Sequence, residues 1–472
     1  MNAEQNDNHF DVVVIGGGPA GYASALYGAS AGLRIAIIEK DKMGGTCLNV
    51  GCIPAKELLE TASVARTVRH AGDFGVQVSP LGLEWATTLT RKQAIVDQLV
   101  KGLTGLLKGR KVTIFDGLGR LEPDHQTVTI TGGASGDVAI TGDAVILAAG
   151  SEPRSLDGFP IDQRRIVTSD ELLSIPELPK SAVVIGGGAI GCEFASMMAD
   201  LGTEVTILEY MPKILPGCDS DATRVVERSF KKRGIDIRTG VAVKNQVTNA
   251  DSVTVTFGDD ESITVETVVM SVGRRPASET LGLDRTAVAV DARGFIVVDE
   301  NCRTGAPGVW AVGDVVDTAQ LAHIGFAEGM LAITDILGEE TCPIDYDKVP
   351  WCIYCHPEVA FAGHTEDSAK EAGYDVLVSK HRFAGNGRAM IVGETDGLVK
   401  IIAERRPDGT GGRLLGVHMV GPWVTEQLGQ GYLALNWEAT VDEIAQFIQP
   451  HPTMSELFGE SVLAMTGRSL HG

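Results

Sequence analysis

The chain contains no uninterrupted apolar run as long as the roughly 18 residues that a membrane-spanning helix needs, although 44% of its 472 residues are hydrophobic. It has no excess of basic residues either, because 40 lysines and arginines stand against 62 aspartates and glutamates. The resulting net charge of −22 disfavours nucleic acids and anionic membrane surfaces as partners. We therefore expect neither a nucleic acid nor a membrane among the partners of this protein.

Cysteine is scarce, with 8 in the whole chain, which excludes the disulfide-dense framework of small secreted domains. Residues 1–9 lack the basic and apolar regions of a secretory signal and contain no arginine-rich amphipathic stretch. These absences predict a cytoplasmic location. Cys352 and Cys355 form a C-x-x-C pair, but there is no second pair to complete a zinc site, and we predict no metal site.

Glycine is abundant, and two glycine clusters form the same G-x-G-x-x-G motif, each between a predicted strand and a predicted helix. The loop glycines are Gly16, Gly18 and Gly21 in the first unit and Gly186, Gly188 and Gly191 in the second. The first glycine of such a loop makes a tight turn, the second lets the backbone approach a pyrophosphate, and the third permits close helix–strand packing. Two complete units predict two dinucleotide sites, each with the pyrophosphate at a helix N-terminus.

Both units continue into a second predicted strand that ends in an acid, Glu39 in the first unit and Glu209 in the second. A carboxylate at this position accepts hydrogen bonds from an adenosine ribose. It also repels a 2′-phosphate, by a few kcal/mol at about 4 Å and an intermediate dielectric. The sequence therefore predicts FAD and NAD, rather than NADP, as the two ligands.

The most specific segment is 44–56, which follows the first dinucleotide unit and has the sequence GGTCLNVGCIPAK. It carries Cys47 and Cys52 in a C-x4-C pattern, at the predicted start of one helix that runs through Lys56. A helix N-terminus favours the thiolate, so we expect lowered thiol pKa values here. Thiolates attack disulfides, and the pair is therefore predicted to undergo reversible dithiol/disulfide exchange. With a flavin and a nicotinamide, this predicts electron transfer between disulfide and flavin and hydride transfer between the two dinucleotides.

The pattern changes from about residue 349 to strands followed by helices, without a glycine-rich phosphate loop. The predicted strands are 359–362, 376–380, 398–403 and 414–420, and the predicted helices are 425–437 and 441–446. This part of the chain is predicted to be an α+β domain that binds no nucleotide.

Taken together, these residues resemble the flavin-dependent pyridine nucleotide–disulfide oxidoreductases, most closely the branch that acts on dihydrolipoyl groups. The motifs that carry the resemblance are 44–56, AAGS at 148–151, GRRP at 273–276, VWAVGD at 309–314, LAH at 321–323, HPEV at 356–359, GHTE at 363–366 and HPTMSE at 451–456. The resemblance implies an α/β fold with two Rossmann-like dinucleotide-binding domains and a C-terminal α+β dimerisation domain. The implied domains are 1–150 for FAD, 151–275 for NAD, 276–347 as a central domain completing the FAD site, and 348–472 as the dimer interface.

The resemblance also implies roles for the residues that carry the chemistry. Cys47 would be the interchange sulfur, and Cys52 would be the sulfur beside the flavin. His451 would act as the base on the disulfide of the partner subunit, with Glu456 orienting its ring. A base supplied across subunits implies an obligate homodimer.

Lys56 and Glu193 are implied as a pair near the reactive flavin nitrogen, where the lysine steadies negative charge. Asp314 is implied as the ribityl contact, and the helix that begins near Ala322 and His323 would direct its N-terminus at the pyrimidine edge of the flavin. The cofactor contacts implied in full are Gly16, Gly18, Gly21, Glu39, Lys40, Lys56, Gly119, Ala149, Gly150, Ser151, Asp314, Leu321, Ala322 and His323 for FAD, and Gly186, Gly188, Gly191, Glu209, Val241 and Gly273 for NAD.

The implied activity is oxidation of protein-bound dihydrolipoyl groups to lipoyl with NAD⁺, on the lipoyl domains of 2-oxoacid dehydrogenase or glycine-cleavage complexes. The main alternative is an NAD(P)H-dependent reductase of another low-molecular-weight disulfide, which Glu209 disfavours because such enzymes mostly use NADPH. A mercuric-type reductase usually adds a C-terminal cysteine pair, and residues 466–472 contain none. A flavin-bearing scaffold without turnover would have no need of the cysteines together with His451 and Glu456.

Overall fold

The computed structural model describes residues 8–79, 82–133 and 136–471. Most of the polar 1–9 segment and the final residue of the cysteine-free tail lie outside them. The helices are α1 (Pro19–Ser30), α2 (Gly45–Asn49), α3 (Cys52–Arg69), α4 (Trp85–Gly109), α5 (Ser169–Leu172), α6 (Ala189–Asp200), α7 (Ser220–Lys232), α8 (Ala322–Ile336), α9 (Glu366–Glu371), α10 (Gly387–Val392), α11 (Val424–Asn436), α12 (Val441–Ile444) and α13 (Glu456–Ala464).

The strands are β1 (His9–Ile15), β2 (Ile35–Glu39), β3 (Thr113–Asp116), β4 (Leu118–Leu121), β5 (Thr127–Thr131), β6 (Val138–Leu147), β7 (Ser151–Pro153), β8 (Ile166–Val167), β9 (Ser181–Ile185), β10 (Glu204–Glu209), β11 (Asp236–Thr239), β12 (Val243–Thr248), β13 (Val253–Phe257), β14 (Glu261–Val265), β15 (Thr267–Met270), β16 (Arg274–Pro276), β17 (Val309–Ala311), β18 (Trp351–Ile353), β19 (Glu358–Gly363), β20 (Val376–Arg382), β21 (Leu398–Arg405) and β22 (Gly411–Gly421).

The chain forms two compact units, and the first comprises Met1–Leu58, Glu84–Arg154 and Gly273–Tyr346. Its seven-stranded sheet has the order β3-β2-β1-β6-β5-β4, with β17 also paired to β6. The pairs that join β1, β2, β3, β6 and β17 are parallel, whereas β4 and β5 form an antiparallel extension. The apolar run of β1 is almost wholly buried, as expected for a parallel strand covered on both faces. The sheet places the first glycine loop at the carboxyl end of β1.

The second compact unit comprises Leu59–Leu83, Ser155–Val272 and Asp347–Gly472. It contains a parallel sheet of order β11-β10-β9-β15-β8 and an antiparallel sheet of order β12-β13-β14. A further five-stranded antiparallel sheet has the order β18-β19-β22-β21-β20. Helices α11, α12 and α13 pack on that sheet around a core that includes Val417, Leu428 and Phe458.

The fold class predicted from the sequence is confirmed, because each glycine loop leaves a parallel sheet and the C-terminal part is an α+β domain. Both loop helices begin inside their glycine motifs, at Pro19 and Ala189. The extended glycine before each helix serves as its N-cap, and a proline at the first helical position needs no hydrogen-bond donor. Within the part of the chain that the structure describes, no helix combines the length and apolar character needed to cross a membrane.

Candidate active site

The first glycine of each loop occupies a conformation and a space that only glycine tolerates. Gly16 has φ +114°, and a Cβ there would lie 2.2 Å from the carbonyl oxygen of Ala148. Gly186 has φ +104°, and its Cβ would lie 2.3 Å from the carbonyl oxygen of Ser271. A Cβ on Gly21 would lie 1.8 Å from the Gly16 carbonyl oxygen, and the matching distance in the second loop is 2.0 Å. Both loops are therefore built as tight turns that press a helix against its strand.

The acid that ends the second strand of each unit is held by the glycine loop. Glu39 accepts a hydrogen bond at 2.7 Å from the backbone N–H of Gly17. Glu209 accepts one at 2.5 Å from Gly187 and a second at 2.6 Å from the backbone N–H of Met211. These bonds fix each carboxylate beside its loop, where it can accept from a ribose hydroxyl.

The two cysteines of the redox segment lie in different helices, which corrects the single helix predicted from the sequence. Cys47 lies inside the five-residue α2, and Cys52 is the first residue of the 18-residue α3. The break falls at Val50 and Gly51; a Cβ on Gly51 would lie 2.8 Å from the carbonyl oxygen of Thr46. Both cysteines are half-buried.

The redox segment also lies over the first glycine loop. The backbone N–H of Gly44 donates to the carbonyl of Gly17 at 2.8 Å. Gly45 has φ +54°, and a Cβ there would lie 2.7 Å from the Cα of Gly18. Two consecutive left-handed glycines thus bring α2 into backbone contact with the dinucleotide loop.

The pKa of Cys47 is raised, which corrects the lowered value expected at a helix N-terminus. Its hydrogen bond with Cys52 is the main cause, and burial adds to it. The Lys56 charge and the backbone N–H of Cys52 act in the opposite direction but are outweighed. Burial, followed by the charges of the two cysteines, raises the pKa of nearby Tyr22 to about 12. The two sulfurs are thus in hydrogen-bond contact and form one pair.

Lys56 and Glu193 belong to different compact units, and their pairing near the flavin stays a prediction. Lys56 lies in the first turn and a half of α3, close enough to the redox pair to lower the pKa of Cys47. Glu193 lies on α6, is 6% exposed and accepts a hydrogen bond at 2.9 Å from the backbone N–H of Tyr354.

Asp314 and Ser151, both predicted FAD contacts, are hydrogen-bonded to each other in the first unit. The Ser151 hydroxyl donates to the Asp314 carboxylate at 2.6 Å. Arg274 donates from Nε to the Ser151 hydroxyl and from its guanidinium to the Ser151 carbonyl, both at 2.7 Å. The arrangement holds the Asp314 carboxylate in one orientation beside a half-buried cation.

Glu328 is a residue of this region that the sequence analysis missed. It is fully buried on α8, and it accepts hydrogen bonds from the Gly313 backbone N–H at 2.5 Å and from the Tyr346 hydroxyl at 2.9 Å. Burial raises the pKa of this carboxyl, against the hydrogen bonds that lower it. The signal that could have found it is a lone acid within the otherwise apolar run 324–333.

The remaining predicted contacts lie at loop and element ends. α8 begins at Ala322 with Leu321 as its N-cap, and His323 is its second residue. Gly150 and Gly273 have φ +72° and +99°. Four others are the exposed Lys40 after β2, Gly119 on β4 against the side chains of Ile15 and Ile38, the partly buried Ala149 after β6, and Val241, whose N–H donates to the Glu209 carbonyl. Their roles in cofactor binding stay predictions.

His451 and Glu456 are hydrogen-bonded in the second unit, with 2.7 Å between Nδ1 and Oε1. The other carboxylate oxygen accepts the Thr453 backbone N–H at 2.8 Å, which fixes Glu456 at the start of α13. A carboxylate only accepts, so Nδ1 carries the proton and Nε2 keeps its lone pair. The His451 side chain is 78% exposed, and this lone pair is available to an incoming thiol.

Two glycine-loop sites and a contacting cysteine pair define an oxidoreductase that uses two dinucleotides and a redox-active cysteine pair. The family matches agree with that class. Residues 10–329 match the pyridine nucleotide-disulphide oxidoreductase family, and residues 349–462 match its dimerisation domain. The chain belongs to the pyridine nucleotide-disulphide oxidoreductase family.

Individual relatives are similar over almost their whole length. The chain is 41% identical to the dihydrolipoyl dehydrogenase of Bacillus subtilis over 98% of this chain and 99% of that protein. It is 37% identical to the mitochondrial dihydrolipoyl dehydrogenase of Pisum sativum, over 98% of this chain and 92% of that protein. Among solved structures, LpdA from Mycobacterium tuberculosis has a TM-score of 0.90 at 27% identity, covering 96% of this chain and 99% of that one. The HOCl-induced flavoprotein disulfide reductase RclA from Escherichia coli, as its Cu(II) complex, has a TM-score of 0.86 at 27% identity, covering 98% and 99%.

Proposed function

We propose that this protein is a flavin-dependent dihydrolipoyl dehydrogenase, which oxidises dihydrolipoyl groups to lipoyl groups and reduces NAD⁺. The observation that carries the proposal is the exposed His451 imidazole, held through Nδ1 by Glu456 at 2.7 Å. A dithiol substrate arrives mostly protonated at neutral pH and needs such a base. The relatives at 37–41% identity named dihydrolipoyl dehydrogenase support the same substrate class.

FAD and NAD fit the residues of the two glycine loops. The backbone leaves room above the second glycine of each loop, where a pyrophosphate would approach. Apart from its chain neighbours, the nearest described atom to a Cβ on Gly18 is 3.9 Å away, and a Cβ on Gly188 would have no such atom within 4 Å. Glu39 and Glu209 would hold the adenosine riboses, and Asp314 would hold the ribityl chain. The bound flavin supplies a two-electron relay between the cysteine pair and NAD⁺.

In the reaction that we propose, Nε2 of His451 accepts a proton from one dihydrolipoyl thiol, and Glu456 stabilises the imidazolium. The new thiolate attacks Cys47 in the Cys47–Cys52 disulfide, and the bond between the two enzyme sulfurs breaks to release Cys52 as a thiolate. The second substrate thiol then attacks the substrate sulfur of the mixed disulfide, the bond from that sulfur to Cys47 breaks, and the proton of the attacking thiol passes to the departing Cys47 sulfur. The substrate leaves as a cyclic disulfide, and the enzyme keeps two electrons in its dithiol.

We further propose an obligate homodimer in which His451 serves the cysteine pair of the partner subunit, in line with the dimerisation-domain match over 349–462. The substrate arms would be lipoyl domains of 2-oxoacid dehydrogenase or glycine-cleavage complexes. The four-part domain division and the cytoplasmic location stay predictions.

A steady-state assay of the FAD-loaded protein tests the activity. Dihydrolipoamide should reduce NAD⁺ with a higher kcat/KM than NADP⁺, and glutathione disulfide should be a poor oxidant of NADH and NADPH. Efficient glutathione disulfide reduction with little dihydrolipoamide turnover would replace this proposal with the alternative reductase.

Substitution of the base tests the observation that carries the proposal. His451→Ala should lower kcat/KM for dihydrolipoamide about a hundredfold or more, the usual scale of lost general-base catalysis. Hydride exchange between NADH and an NAD⁺ analogue should survive, because it does not need the base. Co-expression of Cys47→Ser and His451→Ala subunits should restore activity in the mixed dimers, since one of their two sites carries neither change. Absence of recovery in verified mixed dimers would mean that His451 serves its own chain.

A further inference from the structure

A single row of side chains crosses the whole antiparallel sheet of the second unit. Its members face one another in register, strand by strand: Trp351, Phe361, His418, Lys400 and Lys380. The first three rings are stacked, with centroids 5.8 Å apart in each pair. The row then changes to two adjacent lysines, and like charges directly opposite each other destabilise a sheet.

Lys400 is only 2% exposed, and carboxylates from two distant parts of the chain surround its ammonium group. Nζ lies 2.9 Å and 3.0 Å from the two oxygens of Asp219, 2.8 Å from Asp221 and 2.8 Å from Glu366. Lys380 shares Asp221 at 2.7 Å. The buried cation is thus fully compensated, which makes Lys400 the centre of the cluster.

Lys400 binds both carboxylate oxygens of Asp219, which lies at the end of a loop in the second dinucleotide-binding region. Asp219 is the N-cap of α7, where it accepts the Asp221 backbone N–H at 2.9 Å. Residues 210–218 connect it back to Glu209 at the end of β10. Lys400 therefore holds one end of the connection that begins at the predicted ribose-binding carboxylate.

The same connection packs directly against the second glycine loop. The Leu215 backbone N–H donates to the carbonyl of Gly187 at 2.8 Å, and the Ile214 side chain would lie 2.8 Å from a Cβ on Gly187. At its start, the Met211 N–H is bound to the Glu209 carboxylate at 2.6 Å. The connection is fastened to the nucleotide site at its start and middle, and to Lys400 at its end.

We propose that Lys400 is a positioning residue for NAD, which acts through Asp219 to hold residues 210–218 against the glycine loop. The inference rests on the proposed function only in that NAD is the ligand of this loop. Releasing Asp219 should loosen the connection and weaken binding of the adenosine half of NAD⁺. The cysteine pair and the base do not depend on this contact.

The test measures binding of NAD⁺ and of AMP to the FAD-loaded protein by calorimetry, together with kcat and both KM values. Asp219→Asn keeps an oxygen that can cap α7 but removes the ion pair. It should raise the Kd values for NAD⁺ and AMP about tenfold, raise KM for NAD⁺ in parallel, and leave kcat and KM for dihydrolipoamide near wild type. Lys400→Met should shift binding in the same direction if it folds. Lys370→Met, which removes an exposed cation from Glu366, should leave NAD⁺ binding unchanged.

A lowered Tm with unchanged Kd values in Asp219→Asn would make the cluster merely structural and overturn the proposal. So would a wild-type protein that binds neither NAD⁺ nor AMP. A third outcome separates the two proposals. If the wild-type protein binds AMP but does not turn over dihydrolipoamide, and Asp219→Asn weakens the AMP binding, the positioning role is upheld and the proposed function is rejected.

Discussion

Gly18 and Gly188 hold equivalent positions in the two dinucleotide loops and have almost the same backbone angles, φ −73° with ψ −175° and φ −73° with ψ −172°. Their surroundings differ. α2 lies over the first loop, where a Cβ on Gly45 would be 2.7 Å from the Gly18 Cα, whereas a Cβ on Gly188 would have no described atom within 4 Å apart from its chain neighbours. The first loop is therefore flanked by α2, whose nearest atom would still lie 3.9 Å from a Cβ on Gly18, whereas no segment of the described chain lies as close to Gly188.

The helices that follow the two loops, α1 and α6, also differ in how they pack against neighbouring segments. α1 packs closely on α8, and a Cβ on Gly329 would lie 2.6 Å from the carbonyl oxygen of Ala20. α6 instead makes polar contacts, such as the bond at 2.9 Å from the His356 backbone N–H to the Ser196 hydroxyl. Close packing of small residues joins α1 to α8 within the first unit.

This comparison shows how one local motif can serve two kinds of ligand. The glycine spacing sets the phosphate turn, and it does so equally in both units. The segments packed over a loop control how fast its ligand exchanges with solvent, because a ligand beneath such a segment can leave only after a local opening. A loop with a segment packed over it suits a retained FAD, and a loop without one suits NAD, which must leave after each turnover.

The largest loss of activity is expected from changes in the cysteine pair, because Cys47 lies in α2, the helix beside the first loop. Cys47→Ser should lower turnover with dihydrolipoamide about a thousandfold or more, because the exchange sulfur is lost. If Cys52 faces the flavin, this variant should still show long-wavelength absorption from a thiolate beside the flavin, and Cys52→Ser should abolish that band. Cys352→Ser is the matched control and should retain turnover. Normal dihydrolipoamide turnover by Cys47→Ser would refute the assignment.

A matched pair of glycine substitutions tests the difference between the two loops. Gly45→Ala adds a Cβ 2.7 Å from the Gly18 Cα at a residue with φ +54°, so the purified protein should retain much less flavin. Gly188→Ala meets no such obstacle in the described chain and should fold with its flavin. It should raise KM for NAD⁺ about tenfold, the factor that matches an overpacking cost of about 1–2 kcal/mol. Equal flavin loss in both variants would remove the distinction between the loops.

The carboxylate of the second loop should govern the choice of nicotinamide. Glu209→Arg places a cation where a 2′-phosphate would lie and should narrow the preference for NAD⁺ over NADP⁺ by about tenfold or more. The absolute kcat/KM for NAD⁺ should also fall, because the two backbone N–H groups that Glu209 binds lose their acceptor. Kinetics with both nucleotides measure this, and a wild-type preference for NADP⁺ would contradict the role of Glu209.

The sequence predicted the loops, their acids and the redox segment, because each of these features depends on residues that are close together in the chain. It did not predict how α2 lies over the first loop, since the contact of Gly45 with Gly18 depends on how segments pack in three dimensions. The contact between Lys400 and Asp219 joins residues 181 positions apart, and a lysine on a strand gives no sign that it will be buried. The break between α2 and α3 was missed because helix propensity does not register the close approach at Gly51.

The smallest expected effect is on stability in acid. Each unit contains a group whose pKa is shifted by burial, and the two shifts have opposite directions. In the second unit, burial and the charges of Arg66 and Arg233 lower the pKa of His356 to about 3, from an ordinary 6.5. In the first, burial raises the pKa of Glu328 above its ordinary 4.5. These opposite shifts link each unit to pH differently.

Between pH 6.5 and 3 the unfolded chain protonates His356 while the folded protein does not, so this contribution to stability is lost as the pH falls. Glu328 contributes stability at low pH, and the contribution is lost as the pH rises through the raised value. His356→Asn should therefore flatten the fall in Tm from pH 7 to 5, and Glu328→Gln should steepen it. Calorimetric Tm values at several pH values measure both slopes, with the surface variant His471→Gln as control. A His356→Asn slope equal to that of wild type would mean that the histidine titrates alike in the folded and unfolded chains.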